Sequence, residues 1–260
     1  IDYFEVERLI TWLQNYEVIR STISVTSVDK LPPITGSALI IDKSMASTSY
    51  FKQLDALKNY TGTIFCCDRA LYSVISQRIP EYVLNVDISP LCWSFFDHVD
   101  VKKVMPKIKA VFPVTANPLT VRLWAGPRYF FTPTMGALSK TLAIDTQTMI
   151  LPTGGQVAST AYALAYNLGA KTIGLFGLTH CYDDMAESEY PLHSQFHSRV
   201  KGPYGTGWQD PVYKFYNNEY LQFIAFAKKH GVKTVNTTKA GVLYSRDVEN
   251  MSLEEFVKNE

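Results

Sequence analysis

The sequence predicts an α/β fold: a Rossmann-like domain with a mainly parallel sheet, helices on both faces, and an added N-terminal helix. Three observations predict it. From residue 38 onward short apolar runs alternate with helical patterns, and that alternation requires crossover connections and hence parallel strands. A Gly154-Gly155 bend leads into an apolar helical face of Val157, Ala161, Leu164, Ala165 and Leu168, spaced i, i+4, i+7, i+8 and i+11. The 260 residues are 47% hydrophobic and 19% charged, enough apolar material for one large core.

In the first nineteen residues Phe4, Leu9, Trp12, Leu13 and Tyr16 recur at near-helical spacing, predicting a helix that packs on the body or on a neighbouring subunit. Pro32-Pro33 closes this lead-in, so residues 1–35 are set apart from a Rossmann-like domain at 36–260. Strands are expected at 38–41, 63–67, 82–86 and 110–114, with helices at 50–58, 70–77 and 99–108. Four prolines punctuate residues 113–134, where 128–131 reads as a strand and 135–140 as a short helix. The glycine bend and its helix follow, ended by Gly169 as a left-handed cap, then a strand at 172–176. From Leu178 to Gln209 no periodicity is visible, and a gap of that length in a compact domain points to a lid or binding loop. A helix at 212–230, a strand at 233–236 and a terminal helix from Leu253 complete the pattern.

With 25 basic and 24 acidic side chains the chain offers no electrostatic case for nucleic acid. No apolar run approaches the roughly 18–20 residues of a membrane span, and Ile1 to Glu5 lack a signal-peptide pattern, so a cytoplasmic protein is expected. Cys66 and Cys67 are strand neighbours that face opposite sides, while Cys92 and Cys181 stand alone; reduced, buried thiols are expected rather than a disulfide framework.

In open parallel sheets ligands bind beyond the carboxyl ends of the strands. The residues expected there are Asp42, Lys43 and Ser44; Asp68 and Arg69; Asp87; Asn117; Thr179 and His180; and Asn236, Thr237 and Thr238. Gly154 and Gly155, flanked by Thr153 and Gln156, open backbone N–H groups at a helix N-terminus to an anion, although a plain tight turn uses the same glycines. Lys43 and Arg69 suit phosphate. Asp68 and Asp87 suit a hydrated magnesium ion or a ribose hydroxyl, and Asp or Asn at such positions equally caps the next helix.

Thr153, Gln156, Thr179, Ser44, Asn117 and Asn236 to Thr238 complete the candidate ligand-binding set. His180 and His193 are candidate general bases because a histidine titrates near neutrality, and Asp87 joins them as a candidate catalytic group. His193 and His197 at i, i+4, with Cys181, Asp183 or Glu187, would suit a metal if the segment were helical. No helical periodicity supports that, and no metal site is assigned. Tyr190, Tyr204, Trp208, Tyr213 and Tyr216 surround the glycine-rich run 202–207, which reads either as a hinged loop over a planar base or as rings covering a core edge or subunit contact.

Several stretches together resemble a known family: Thr63-Ile-Phe-Cys-Cys-Asp-Arg-Ala-Leu71, Ile79-Pro-Glu-Tyr-Val-Leu-Asn-Val-Asp87, Gly154-Gly-Gln-Val-Ala-Ser-Thr-Ala161, Gly169-Ala-Lys-Thr-Ile-Gly-Leu-Phe-Gly177 and Val235-Asn-Thr-Thr-Lys-Ala-Gly-Val242. They are similar to the archaeal 6-hydroxymethylpterin pyrophosphokinase-like (MptE-like) family. That family includes the Maf proteins of bacterial flagellin glycosylation, and its domain is similar to that of bacterial sialyltransferases. The resemblance spans roughly residues 36–243. It implies a Rossmann-like transferase that takes a nucleotide or nucleotide sugar as donor, with magnesium in the pyrophosphokinase case. A small-molecule nucleotide is thus the expected partner, and the N-terminal helix is a candidate homo-oligomer contact.

This chain departs from the family pattern in three places. Asp42-Lys-Ser-Met-Ala46 replaces a Gly-Pro-Ser-Leu turn, and Gly177-Leu-Thr-His180 replaces Gly-x-Asp-Leu. The Asp-Leu-Asp-Gly and His-Ala-His-Gly-Asp runs associated with the pterin enzymes are absent, Asp87 being followed by Ile-Ser-Pro. The pattern therefore fits nucleotide-sugar glycosyl transfer better than ATP- and magnesium-dependent pterin pyrophosphoryl transfer. A non-catalytic nucleotide- or metabolite-binding protein is the third reading.

Overall fold

Nine strands form one sheet in the computed structural model, which describes residues 3–43, 52–182 and 197–260. In chain order they begin with β1 (Ser37–Ile41), β2 (Thr63–Cys67), β3 (Tyr82–Leu84), β4 (Lys109–Pro113), β5 (Arg128–Pro133) and β6 (Ile150–Leu151). These six step across the sheet in one direction, every neighbouring pair parallel. The chain then crosses back, and β7 (Thr172–Phe176) pairs with the free edge of β1. A separate antiparallel hairpin, β8 (Ser198–Gly202) and β9 (Gly205–Gln209), comes next. Finally β10 (Lys233–Asn236) and β11 (Val248–Asn250) extend the sheet beyond β7. The reversal of strand order thus falls between β1 and β7, where a parallel sheet opens a crevice at its carboxyl edge.

Helices cover both faces. Among the described residues they are α1 (Tyr3–Thr22), α2 (Leu71–Val74), α3 (Val99–Val104), α4 (Pro118–Leu123), α5 (Leu138–Thr146), α6 (Val157–Asn167), α7 (Pro211–Lys229) and α8 (Leu253–Asn259). Alternation along the strands divides the core in two. Leu39, Ile41, Ile64, Cys66 and Phe112 face a layer that includes Phe256 and Val257 of α8. Ala38, Ile40, Phe65, Cys67 and Val111 face α6 and α7. Cys66 and Cys67 therefore lie in opposite layers, both free and buried, as the two-residue period of a strand requires.

α6 is the pivot of the second layer. Residues Ala158 to Ala165 are all buried, because the Ala-Ser-Thr-rich sequence lets the helix lie between the sheet and α7 without bulky spacers. Its one large inward ring, Tyr162, meets Tyr220 of α7 edge-on at 5.5 Å and shares a 2.7 Å hydrogen bond with Thr234 of β10. Tyr220 in turn donates to the Ala158 carbonyl at 3.2 Å. Local signals fix the flanking helices: Asp210 caps α7 by accepting from the Tyr213 N–H at 2.6 Å, and Ser252 with Glu255 forms a capping box on α8.

The structure alters several expected boundaries. The helix expected at 99–108 stops at Val104 and becomes a 3-10 turn, Met105–Lys107, since Pro106 has no N–H to continue the ladder. The helix expected at 70–77 is a 3-10 turn, Asp68–Ala70, followed by the single turn of α2. The described part of the 50–58 helix ends in a 3-10 turn, Leu54–Asn59. Strands β6 and β11, of two and three residues, are too short to show a period. The run 202–207 is a hairpin rather than a hinge. Gly202 packs against the Gly241 carbonyl, and Gly207 against the Tyr182 carbonyl and the Cys181 sulfur, with no room for a Cβ. Tyr182 and Trp208 pair through two backbone bonds of 2.8 and 2.9 Å.

The lead-in is built into the body. Ile19, Val28 and Leu31 are buried, Phe130 N–H donates to the Thr26 carbonyl at 2.8 Å, and Ile34 N–H donates to the Leu168 carbonyl at 2.7 Å.

Gly174 in β7 leaves the gap into which the Phe256 ring fits, a Cβ there falling 2.7 Å from the ring. Replacing this fully buried ring, Phe256→Ala, is expected to lower unfolding stability by about 3–5 kcal/mol in urea titration. A loss below about 1 kcal/mol would show that α8 does not seal this face.

Candidate functional site

The carboxyl ends of β1, β2 and β3 bring Asp42, Lys43, Asp68, Arg69 and Asp87 to one chamber of about 530 Å³. Its opposite wall is the glycine bend and the start of α6, through Gly155, Gln156 and Val157, together with Tyr213 and Tyr216 of α7. A second chamber of about 490 Å³ lies beyond the ends of β4, β5 and β6, lined by Pro113, Thr115, Pro133, Thr134, Thr153 and Phe215. The two share Arg8, Trp12, Val86, Gly155 and Tyr216. One is charged and the other largely apolar, and they form a single two-part cleft.

Two carboxylates sit at the floor of the charged chamber. Asp68 accepts from its neighbour's N–H, Arg69, at 2.7 Å and from the Asn85 amide at 2.6 Å. Burial outweighs both bonds and pushes its carboxyl up to about 6, with the nearby Asp42 adding to the rise. Asp42 is raised for the same first reason, burial, against the Lys43 N–H at 2.7 Å and the positive charge of Arg69. Desolvation makes each charge costly unless a cation stands close. Arg69 stands close, its guanidinium held over the Phe95 ring at 5.2 Å.

The glycine bend is real and strained in the sense that only glycine relieves, with Gly154 at φ +52 and Gly155 at φ +81. One side of it is seated on aromatic rings: a Cβ on Gly155 would collide with Tyr216, and one on Gly154 would meet the Ser159 hydroxyl at 2.8 Å and Phe223 at 3.2 Å. Gly155 still lines both chambers. Gln156 is the N-cap of α6 but makes no side-chain cap bond. Among the described residues no side chain caps the first N–H groups of α6, at the end that meets the charged chamber.

The Gln156 side chain turns instead to His180, Nε2 to Nε2 at 3.0 Å. His180 is buried, holds a left-handed backbone at φ +51, and places Nδ1 3.2 Å from the Asn217 amide oxygen. Burial pushes its imidazole down to about 4, against the raising effect of Asn217. The ring is thus neutral at pH 7, donating from Nδ1 to Asn217 and accepting at Nε2 from Gln156, a tautomer assigned by the network. His180 lines neither chamber. Its lone pair is committed, so the geometry gives it the task of positioning Gln156 rather than the general-base role expected from the sequence.

Other sequence candidates separate by place. Asn117 caps α4, accepting from the Leu119 N–H at 3.0 Å and donating to the Ile88 carbonyl at 3.4 Å, which is the capping alternative. Thr238 accepts from the Gly177 N–H at 3.1 Å, and Thr237 donates to the Leu175 carbonyl at 2.9 Å. Asn236 accepts from the Thr238 N–H at 2.9 Å and donates to the Leu243 carbonyl at 2.8 Å. Thr237 and Thr238 thus tie the end of β10 to β7, Asn236 ties it to the segment around Leu243, and none of the three lines either chamber.

Thr179 is buried beneath the hairpin and donates to the Cys181 carbonyl at 3.2 Å. Thr153 lines the apolar chamber. Asp87 is exposed in the charged chamber, where it also accepts from the Ser89 N–H at 2.9 Å. Ser44, His193, Asp183, Glu187 and Tyr190 lie outside the described residues. His197 stands against the Tyr182 ring at 5.4 Å. Arg8 is not among the residues that the sequence singles out, and Trp12 is singled out there only for helix packing; both line the two chambers. The available signal was that Arg8, Trp12, Asn15 and Ile19 share one helical side, hidden because the apolar count favours Leu9 and Leu13.

A parallel sheet with helices on both faces and a cleft at its strand-order reversal defines a Rossmann-like α/β domain. Residues 46–185, more than half of the chain, match the family described as 6-hydroxymethylpterin diphosphokinase MptE-like, and the chain belongs to that family. Among solved structures it is similar to the MAf glycosyltransferase from Magnetospirillum magneticum AMB-1, with a TM-score of 0.70 over 93% of this chain at 13% identity. The likeness is one of fold, and this chain spans 38% of that one. No curated protein matches. Among the described residues no helix is long and apolar enough to cross a membrane.

The raised carboxyl of Asp68 stabilises the folded state below pH 4, and that contribution is lost as pH rises through about 6. Asp68→Asn should therefore gain on the wild type by up to about 3 kcal/mol between pH 4 and pH 8, read from urea unfolding at each pH. A gain independent of pH would show that Asp68 is not desolvated.

Proposed function

We propose that this chain is a nucleotide-dependent transferase domain whose donor is a nucleotide sugar, the phosphates lying in the charged chamber. The observation that carries the reading is the opposition of Lys43 and Arg69 to the start of α6, whose N-terminal N–H groups no described side chain caps. Cations and a helix N-terminus facing one another across a cavity favour an anion between them. A volume of about 530 Å³ suits a small ligand.

In this reading an acceptor hydroxyl attacks the anomeric carbon of the donor, and the bond from that carbon to the phosphate oxygen breaks. The electron pair leaves with the nucleotide, whose new charge Arg69, Lys43 and α6 hold. Asp68 takes the hydroxyl proton, being a cleft carboxylate with its affinity for protons raised towards neutrality. Asp87, exposed at the same wall, suits a ribose hydroxyl. His180 keeps Gln156 in place as a neutral ring. The name of the structural neighbour, a glycosyltransferase, supports this choice of donor. The family description supports a second reading, transfer of diphosphate from a nucleoside triphosphate, in which Asp68 and Asp87 would hold the magnesium ion.

Calorimetry with CMP, a UDP sugar and ATP, each with and without magnesium, separates these readings. Metal-independent binding of CMP or the nucleotide sugar is expected, weakened roughly tenfold or more by Arg69→Ala, since a hydrogen bond to a charged group contributes about 1.5–3 kcal/mol. ATP binding that requires magnesium would move the assignment to diphosphate transfer. No binding of any of the three at millimolar concentration would overturn the nucleotide reading.

A further inference from the structure

Arg8, Trp12, Asn15 and Ile19 stand at i, i+4, i+7 and i+11 of α1, on one side of the helix. The later half of that side is anchored. Ile19 is fully buried, and the Asn15 amide donates to the Thr115 carbonyl just beyond β4 at 3.2 Å. Tyr16 beside them is hydrogen-bonded to Asp145 of α5. The anchored side then runs out over the cleft, where Trp12 is half-buried and both Trp12 and Arg8 line the two chambers.

The chemistry of this helix is inverted relative to simple packing. A helix held only by burial turns its apolar residues inward. Here Leu9, Ile10 and Leu13 are exposed, at 39%, 50% and 38%, and the position one turn before Trp12, on the side that carries Asn15 and Ile19, is an exposed cation at the cleft. Among the described residues no ion pair engages Arg8, whereas Arg20 further along α1 pairs with Glu17 at 2.7 Å and Asp145 at 3.8 Å. Arg8 acts on Tyr216, the ring that seats Gly155, and its positive charge opposes the rise that burial imposes on that phenol. It stands at the seam of the cleft with a charge that no described side chain pairs.

We propose that α1 is a wall of the ligand site, with Arg8 binding an anionic group at the seam and Trp12 flanking the adjoining uncharged ring or sugar. The ligand is a phosphorylated or carboxylated small molecule long enough to reach from the charged chamber into the apolar one. This inference rests on the nucleotide-donor reading and adds to it: the sheet and α6 supply half of the anion site, and the N-terminal helix supplies the rest. Because Asn15, Tyr16 and Ile19 fix the later turns, Arg8 is held over the cleft by a rigid element.

The test is calorimetry of the whole chain with a UDP sugar, whose two phosphates keep their charge across neutral pH, at two salt concentrations. Arg8→Gln is expected to weaken binding tenfold or more and to reduce its salt dependence, and Arg8→Lys to restore part of both. Arg20→Gln, on the same helix but away from the cleft, should bind as the wild type does. Arg8 is exposed, so its variants should melt at the wild-type temperature, which separates a binding role from a folding one. Wild-type affinity and salt dependence in Arg8→Gln would overturn this inference and leave the donor reading standing. Failure of the wild-type chain to bind any nucleotide would overturn both.

Discussion

The common direction of nine strands is the constraint on which everything else depends. In a parallel sheet each strand ends on the same edge, so residues far apart in sequence, Asp42, Asp68 and Asp87, reach one chamber because β1, β2 and β3 lie side by side and end together. The jump from β6 back to β7 beside β1 opens the edge, because the connections on either side of that boundary run away from each other. The helix that makes the jump, α6, is rich in Ala, Ser and Thr along its buried run, and so it lies close against the sheet. Fold and site are two consequences of one topology.

Burial shifts several groups at and behind the cleft floor. Asp42 and Asp68 are pushed up by loss of water, and the Cys66 and Cys67 thiols are pushed up strongly for the same reason, which keeps them protonated. His180 is pushed the other way. The result is a floor of reluctant carboxylates with a neutral histidine behind it, and cations on the rim. Asp68, raised to about 6, can exchange a proton near neutrality beside the positive rim, a combination that the proposed transfer uses.

Much of the fold was legible in the sequence because its signals are local. Strands β2, β7 and β10 begin and end where their apolar runs do, and Gly169 with φ +97 closes the α6 segment as expected. What escaped were features without a local period: two-residue β6, three-residue β11, and the hairpin whose glycines answer to the distant Gly241 and Tyr182 backbones. The site divided along the same line. Lys43, Asp68, Arg69, Asp87, Gly155 and Gln156 share a chamber because they directly follow strands or precede α6. Asn236, Thr237 and Thr238 also follow a strand, but β10 lies beyond β7 and its end is consumed in tying down the Gly177 turn. Trp12 reads from the sequence as a packing residue and Arg8 as a surface charge, because only tertiary placement of α1 tells which side of it faces the cleft.

The central claim is that the ends of β1, β2 and β3 and the start of α6 grip one anion between them. A crystal structure of the chain with a bound nucleoside diphosphate tests this most directly. The account places the phosphate oxygens within hydrogen-bonding distance of the first α6 N–H groups and of the Arg69 guanidinium. Phosphates bound elsewhere on the molecule, with the Gly155 bend and Arg69 untouched, would contradict it.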